Sequence, residues 1–168
     1  MNIHTTKPRI SKDEYYCGIA EAVSRRSTCL RRQYGVVITK DDRIIATGYN
    51  GSARGEENCC DVGTCWREAH GVPHGQMYEK CVGIHAEDNA ITAAGREAIG
   101  ATLYLVGIEN GERIRARPCV MCMRKIKNSG IARVVYANEY GGFSARRVDV
   151  KLDAGVRDIM NSLYPEED

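Results

Sequence analysis

Two short runs of metal-binding residue types stand at the starts of two predicted helices, and they constrain the fold more than any other feature. One run is His-x-Glu, beginning at His85, and the other is Pro-Cys-x-x-Cys, with its thiols at Cys119 and Cys122. Cysteines three positions apart share one helical face, so both sulfurs can reach one metal ion. His85 supplies a third ligand, and three protein ligands leave a fourth tetrahedral position open, as in catalytic zinc sites. The fold must therefore bring the two helix starts together.

A carboxylate follows His85 by two positions. Glu87 is not needed as a ligand, and from there its side chain can reach a water on the metal. Zinc lowers the pKa of such a water, and a neighbouring carboxylate can accept the proton and pass it on. His-x-Glu followed by Pro-Cys-x-x-Cys is the known signature of zinc nucleobase deaminases. The alternative is a structural zinc site with an incidental glutamate.

Composition narrows the function classes. The 168 residues include eight cysteines, but the polar start of the chain has no secretory apolar region, which disfavours a disulfide framework. We therefore expect a cytoplasmic protein, or one of the host cytoplasm if it is viral, and no membrane span. The net charge of +2 is too small to indicate nucleic-acid binding, whereas the excess of arginine over lysine favours small phosphorylated ligands.

Alternating helical and strand patterns predict an α/β domain with helices on both faces of a sheet. Ser11 and Glu14 have the form of a capping box before the first helix. The predicted helices span about 11–26, 85–98, 118–128 and 153–163, and the predicted strands span 34–40, 43–49, 101–106 and 131–136.

On these motifs the sequence resembles the deoxycytidylate (dCMP) deaminase family. Further matching pieces are 27–31, 48–52, 58–61 and 129–131. The resemblance implies a three-layer α/β/α sandwich around a mixed sheet. It implies hydrolytic deamination of dCMP to dUMP and ammonia, which supplies dUMP for thymidylate synthesis. His85, Cys119 and Cys122 match the zinc ligands, and Glu87 matches the residue that carries protons to the base and the leaving amine.

The resemblance also implies substrate contacts. Asn50 matches a position that contacts the sugar, and the backbone of Ala86 faces the base; tolerance of left-handed turn geometry is the alternative role for Asn50. Further residues are predicted to contact the phosphate and to form the walls of the pocket. The alternative is that each of these arginines is merely exposed to solvent and each of these tyrosines merely packs in the core. Arg31 matches an arginine of the family, and from the arginines around the first helix we predict Arg26 and Arg31 for the phosphate. Tyr136 and Tyr140 are the predicted walls of the nucleotide pocket.

Family members are often hexamers that dCTP activates and dTTP inhibits, so the resemblance implies a homo-oligomer with nucleotide effectors. A triphosphate effector would bring Mg²⁺. The residues that match effector or interface positions are Gly48, Tyr49, Asn50 and Arg96, although an exposed Arg96 is also explained by solvation alone.

Some members, notably phage-type ones, carry a second, structural zinc. Its ligands match Cys29, Cys59, His70 and His74, with Cys60, Cys65 and Cys81 as alternative donors. A closed Cys₂His₂ site would pin the long segment 52–83. We thus predict one deaminase domain over 1–168, with 52–83 as a zinc-pinned insertion and 141–168 as a tail that departs from the family.

Three other functions compete with dCMP deamination. A bifunctional enzyme would accept dCTP as well as dCMP, which depends on the space around the phosphates. A deaminase that edits tRNA or another polynucleotide shares the zinc centre, but it needs a stronger basic surface. A non-enzymatic nucleotide sensor is disfavoured because all four core residues are present.

The segment 109–117 also departs from the family, and its arginines are candidates for phosphate or subunit contacts.

Overall fold

The structure is a computed structural model that describes residues 8–138 and 140–148. Within them the helices are α1 (Lys12–Ser24), α2 (Cys59–Val62), α3 (Trp66–Ala69), α4 (Ala86–Ala94) and α5 (Val120–Asn128), with 3-10 turns at Tyr78–Lys80 and Gly95–Ala98. The strands are β1 (Gln33–Lys40), β2 (Arg43–Tyr49), β3 (Gly51–Ser52), β4 (Gly83–Ile84), β5 (Thr102–Glu109), β6 (Glu112–Ile114), β7 (Arg133–Ala137) and β8 (Phe143–Arg147).

The main sheet has the strand order β2-β1-β5-β7-β8, and β6 extends it by pairing with β5. Only β5 and β7 run parallel among these described pairs; the others are antiparallel, so the sheet is mixed. A separate two-stranded sheet joins β3 to β4, where Gly51 pairs with Ile84. This pairing holds the residue before His85 beside the turn that ends β2.

Buried side chains divide between the two faces of the main sheet, as the alternation of a strand requires. Val37 and Tyr104 pack against α1, whereas Val36, Ile38 and Leu105 face the opposite layer. That layer contains the inner faces of α4 and α5, including Ala90 and Met123. The predicted three-layer α/β/α sandwich around a mixed sheet is confirmed.

Several element boundaries differ from the predictions. The capping box is present, with Ser11 and Glu14 bonded reciprocally, but α1 ends at Ser24, whose hydroxyl donates to the carbonyl of Glu21. β5 continues to Glu109 and turns back into β6 through Asn110 and Gly111, both at positive φ. The segment 109–117, which departs from the family, is therefore largely a hairpin.

The tail and the insertion also differ from expectation. β8, which was not predicted, pairs with β7 and adds an edge strand. The segment 52–83 contains α2, α3 and a 3-10 turn rather than a plain loop. The predicted helix over 153–163 lies outside the described residues. Among the described helices, none has the length and apolar character that a bilayer-spanning segment needs.

Gly48 fixes how closely α4 approaches the sheet. A β-carbon at this position would lie 2.5 Å from both the carbonyl oxygen of Ala86 and the nitrogen of Ala90. These atoms are backbone and cannot move aside as a side chain would. The first turn of α4, which follows His85, therefore rests directly on β2 and requires a glycine beneath it.

Replacing Gly48 with alanine should destabilise the protein by about 1–3 kcal/mol, because it overpacks this contact. The measurement is the free energy of unfolding in urea. Gly18→Ala is the matched control, since a β-carbon there meets nothing within 4 Å. In the middle of α1, that alanine should stabilise the protein by about 0.5–1 kcal/mol. Equal stability of Gly48→Ala and the unsubstituted protein would show that α4 does not depend on this contact.

Candidate active site

Two helix N-termini meet at a cluster of three metal-binding side chains. His85 caps α4 and Cys119 caps α5, where the Cys119 sulfur accepts a hydrogen bond from the backbone nitrogen of Cys122 at 3.4 Å. The Nδ1 atom of His85 lies 3.5 Å from the sulfur of Cys119 and 3.3 Å from that of Cys122. Tetrahedral zinc with Zn–N near 2.0 Å and Zn–S near 2.3 Å requires an N–S separation of about 3.5 Å. The donor set and its spacing therefore fit zinc.

The electrostatics of the cluster favour thiolate ligands. Hydrogen bonds from the Cys122 thiol and the His85 ring lower the pKa of Cys119 to about 4. The same hydrogen bond to Cys119, together with burial, raises the pKa of Cys122. His85 keeps a raised pKa, chiefly through its hydrogen bond with Cys119. The lowered pKa of Cys119 favours its thiolate as a ligand, and a bound cation would favour ionisation of the second thiol.

Glu87 lies in the first turn of α4 and is 5% exposed. Burial raises the pKa of its carboxyl group, against the opposing effect of the His85 charge. A raised pKa suits a group that must hold a proton between two transfer steps. The carboxyl group lines the same cavity as His85 and Cys119.

A cavity of about 580 Å³ opens beside this cluster. Its volume lies in the range of sites that take a small organic ligand. Among the predicted substrate residues, Asn50, Ala86 and Arg31 line it. Further arginines reach the cavity from several elements: Arg32, Arg67, Arg117 and Arg124.

Asn50 is held in one orientation by the turn around it. Its Oδ1 atom accepts from the Ser27 hydroxyl and the Tyr34 backbone nitrogen, each at 2.7 Å, and its Nδ2 atom donates to the Arg32 carbonyl at 2.9 Å. Asn50 is not among the described residues with positive φ, so left-handed geometry does not explain it. One N–H of the fixed amide has no partner among the described residues and is available to a ligand.

The other predicted substrate residues do not line the cavity in the described part of the chain. Arg26 is exposed just after α1. Tyr136 packs against the core between the sheet and α4, and Tyr140 is 87% exposed beyond β7. Of the two arginines predicted for the phosphate, the fold brings only Arg31 to the cavity.

The predicted effector residues lie near opposite ends of α4, with Gly48, Tyr49 and Asn50 at the end of β2 and Arg96 beyond the helix. Gly48 is covered by the first half of that helix, and the carbonyl oxygen of Tyr49 accepts a hydrogen bond from the Asn89 side chain at 2.8 Å. Arg96 is exposed in the 3-10 turn that follows the helix.

The predicted second zinc site is brought together only in part. Cys29, Cys59 and His74 line the cavity, whereas His70 is exposed and stacks on Trp66 with ring centroids 4.1 Å apart. Within residues 8–138 and 140–148, only His85, Cys119 and Cys122 place three ligand atoms within 4.8 Å of one another. The alternative donors Cys65 and Cys81 line the same wall as Cys59, whose pKa is raised by burial and by these neighbouring thiols.

Two cavity residues were missed at the level of sequence. The guanidinium of Arg67 lies over the ring of Tyr78 at 4.8 Å, and the ring of Tyr78 meets that of His85 edge-on at 4.7 Å. Both residues belong to the segment without periodicity, where side-chain direction depends on turns that no simple pattern encodes. The clustering of cysteines and histidines around Arg67 was the available signal.

Comparison with known proteins agrees with this geometry. Residues 10–138 match the family model of the cytidine and deoxycytidylate deaminase zinc-binding region. The deoxycytidylate deaminase of Mycobacterium phage D29 is 43% identical over 133 residues, which cover 76% of this chain and 94% of that protein. The deoxycytidylate deaminase of Schizosaccharomyces pombe is 39% identical over 134 residues, or 79% of this chain, but the match spans 38% of its length.

A solved structure shares the fold. The dCMP deaminase of cyanophage S-TIM5 in its apo form superposes with a TM-score of 0.56 at 27% identity, covering 79% of this chain and 86% of that one. A three-layer sandwich with a His/Cys/Cys cluster on two helix starts defines the class of zinc-binding deaminases. The chain belongs to the cytidine and deoxycytidylate deaminase family.

Proposed function

We propose that the protein hydrolyses the amino group of dCMP to give dUMP and ammonia, and so supplies dUMP for thymidylate synthesis. The observation that carries this proposal is the buried Glu87 carboxyl group beside the His85–Cys119–Cys122 cluster, at the wall of a cavity of nucleotide size. The similarity to deoxycytidylate deaminases supports dCMP as the substrate.

The side chains of the protein supply the ligands for zinc, transfer protons and orient the substrate. A zinc ion held by His85, Cys119 and Cys122 would contribute Lewis acidity that lowers the pKa of water. Glu87 would accept one proton from the attacking water and deliver it to N3 of the cytosine. It would then accept the remaining proton of the new C4 hydroxyl and pass it to the amino group, which leaves as ammonia. The C4–N bond breaks, a C4–O bond forms, and the products are dUMP and ammonia.

Asn50 and Arg31 would bind the parts of the nucleotide outside the base. The free N–H of the Asn50 amide is oriented to donate to a sugar hydroxyl, because the remaining polar atoms of the amide are engaged by Ser27, Tyr34 and Arg32. The Ala86 backbone faces the cavity at the start of α4 and would meet the base. Arg31 would contact the phosphate, while the roles predicted for Arg26, Tyr136 and Tyr140 stay predictions.

A panel of substrates tests this function directly. The zinc-loaded protein is incubated with dCMP, dCTP, CMP and a tRNA, and ammonia release is measured for each. We expect the highest kcat/KM for dCMP. Comparable turnover of dCTP would favour the bifunctional enzyme. The cavity is lined by more arginines than a single phosphate group needs, and this observation supports that alternative. Turnover of the tRNA alone would contradict the proposal.

We also propose a second, structural zinc and effector control. Cys29 and Cys59 would hold the metal with two further donors from His74, Cys65 and Cys81, since His70 would first have to leave Trp66. Two zinc ions per chain, falling to one in Cys59→Ser, are expected from elemental analysis. We further propose that dCTP with Mg²⁺ activates the enzyme and that dTTP inhibits it, both at the turn 48–50 and Arg96. The proposal also includes a hexamer and a cytoplasmic location.

A further inference from the structure

Arg67 is a buried cation without a counter-ion in the described part of the chain. It is 7% exposed, and its Nη2 atom donates to the Pro73 carbonyl at 3.1 Å. Its Nε atom is buried without a hydrogen-bond partner, and no carboxylate of the described residues pairs with it. A charge removed from water and left unpaired costs free energy that a bound anion would offset. Arg67 also lines the cavity, so an anion that enters there can approach it.

Arg31 adds a second positive charge to the same wall. Its Nη1 atom donates to the Val72 carbonyl at 3.4 Å, so Arg31 and Arg67 bind neighbouring carbonyl groups of one turn. No ion pair of Arg31 is found among the described residues, whereas Arg32 is neutralised by Glu109 at 2.9 Å.

The position of this pair relative to the metal cluster suits a nucleotide. The ring of Tyr78 contacts both groups: its centroid lies 4.8 Å from the Arg67 guanidinium carbon and 4.7 Å from the centroid of the His85 ring. Arg31, Arg67 and Glu87 line one cavity, and a nucleotide carries its reactive base and its 5′-phosphate at opposite ends of one small molecule. A base beside Glu87 therefore leaves its phosphate within the reach of this wall.

We propose that Arg67, together with Arg31, binds the 5′-phosphate of the substrate and makes the site select a nucleotide over a nucleoside. The inference rests on the proposed deamination of dCMP and assigns its phosphate recognition to the segment 52–83. An arginine is suited to this task because its planar group offers two parallel donors to phosphate oxygens. The contact with the Tyr78 ring and the hydrogen bond to the Pro73 carbonyl hold the guanidinium before the substrate arrives.

The test compares dCMP with deoxycytidine, which lacks the phosphate. Arg67→Gln should lower kcat/KM for dCMP by about 10- to 100-fold, mainly through KM, because it removes charge-assisted hydrogen bonds. The value of kcat/KM for deoxycytidine should not change. Arg43→Gln is the control, since Arg43 is exposed on β2 and outside the cavity lining, and it should leave both values unchanged.

Equal losses on both substrates, or no loss on dCMP, would overturn the inference. Zinc content and melting temperature establish whether Arg67→Gln is folded; if it is not, Arg31→Gln decides by the same two values. Failure of the unsubstituted protein to deaminate dCMP would instead refute the proposed function. The two failures are therefore distinguishable within one set of assays.

Discussion

Replacing Glu87 with glutamine is expected to lower kcat for dCMP by about 10²- to 10⁴-fold, the range for loss of a general acid–base group. Glutamine preserves the size of the side chain but cannot accept or release the proton. Because Glu87 is 5% exposed in the first turn of α4, little solvent is present to replace its carboxyl group. The measurement is steady-state formation of dUMP, with zinc determined on the same preparation.

Zinc content should remain unchanged in Glu87→Gln, since the cluster of His85, Cys119 and Cys122 is complete without the glutamate. Glu97→Gln is the matched control, because Glu97 is exposed just beyond α4 and should retain full activity. Undiminished activity of the Glu87 variant would contradict the role of this carboxyl group. Loss of zinc along with activity would indicate that Glu87 supports the metal site instead.

Replacing Cys122 with serine is expected to remove zinc from the centre and abolish measurable turnover. Cys122 is 3% exposed, its sulfur lies 3.3 Å from Nδ1 of His85, and no other described thiol belongs to this cluster. Ligand binding stabilises a fold by about 3–4 kcal/mol when the free ligand exceeds Kd by 100- to 1,000-fold. The variant should lose stability of that order at saturating zinc, as measured by urea unfolding.

Cys17→Ser separates the loss of a buried thiol from the loss of a metal ligand. Cys17 is fully buried between α1 and the sheet, and burial raises its pKa to about 12. This variant should lose stability but keep its zinc and its activity. Full zinc content and activity in Cys122→Ser would show that the metal lies elsewhere.

The catalytic cluster is predictable from sequence because local geometry determines most of it. A Cys-x-x-Cys on a helix start presents two thiols on one face, and a strand between two helices returns the chain to the same layer. The alternation of apolar residues in β1 and β5 likewise places Val36 and Leu105 on one face. These features depend on spacing alone, and the structure agrees with them.

The hairpin of β5 and β6 was predictable but was missed. Asn110-Gly111 is a strong short-range hairpin signal, and both residues adopt the positive φ that such a turn requires. Comparison with the family pattern indicates only that the segment 109–117 departs from it. The Asn110-Gly111 pair therefore predicts this hairpin, whereas comparison with the family pattern does not.

The side-chain directions in the insertion 52–83 could not be predicted from the sequence. The matching of His70 to a metal ligand depended on the family pattern, whereas its ring direction depends on the end of α3 and on stacking against Trp66. Arg67, one turn earlier in the same helix, faces the cavity instead. In a segment without periodicity, neighbouring side chains diverge according to individual turns, and three-dimensional coordinates are needed to assign them.

The incorporation of oxygen from labelled water tests the central claim most directly. The zinc-loaded protein converts dCMP in H₂¹⁸O, and the dUMP is analysed by mass spectrometry while ammonia is quantified. Hydrolysis at the Glu87 centre predicts one ¹⁸O atom at C4 of the uracil and one ammonia for each dUMP formed. Absence of dUMP from the zinc-loaded protein, or dUMP without the label, would contradict hydrolytic deamination by this site.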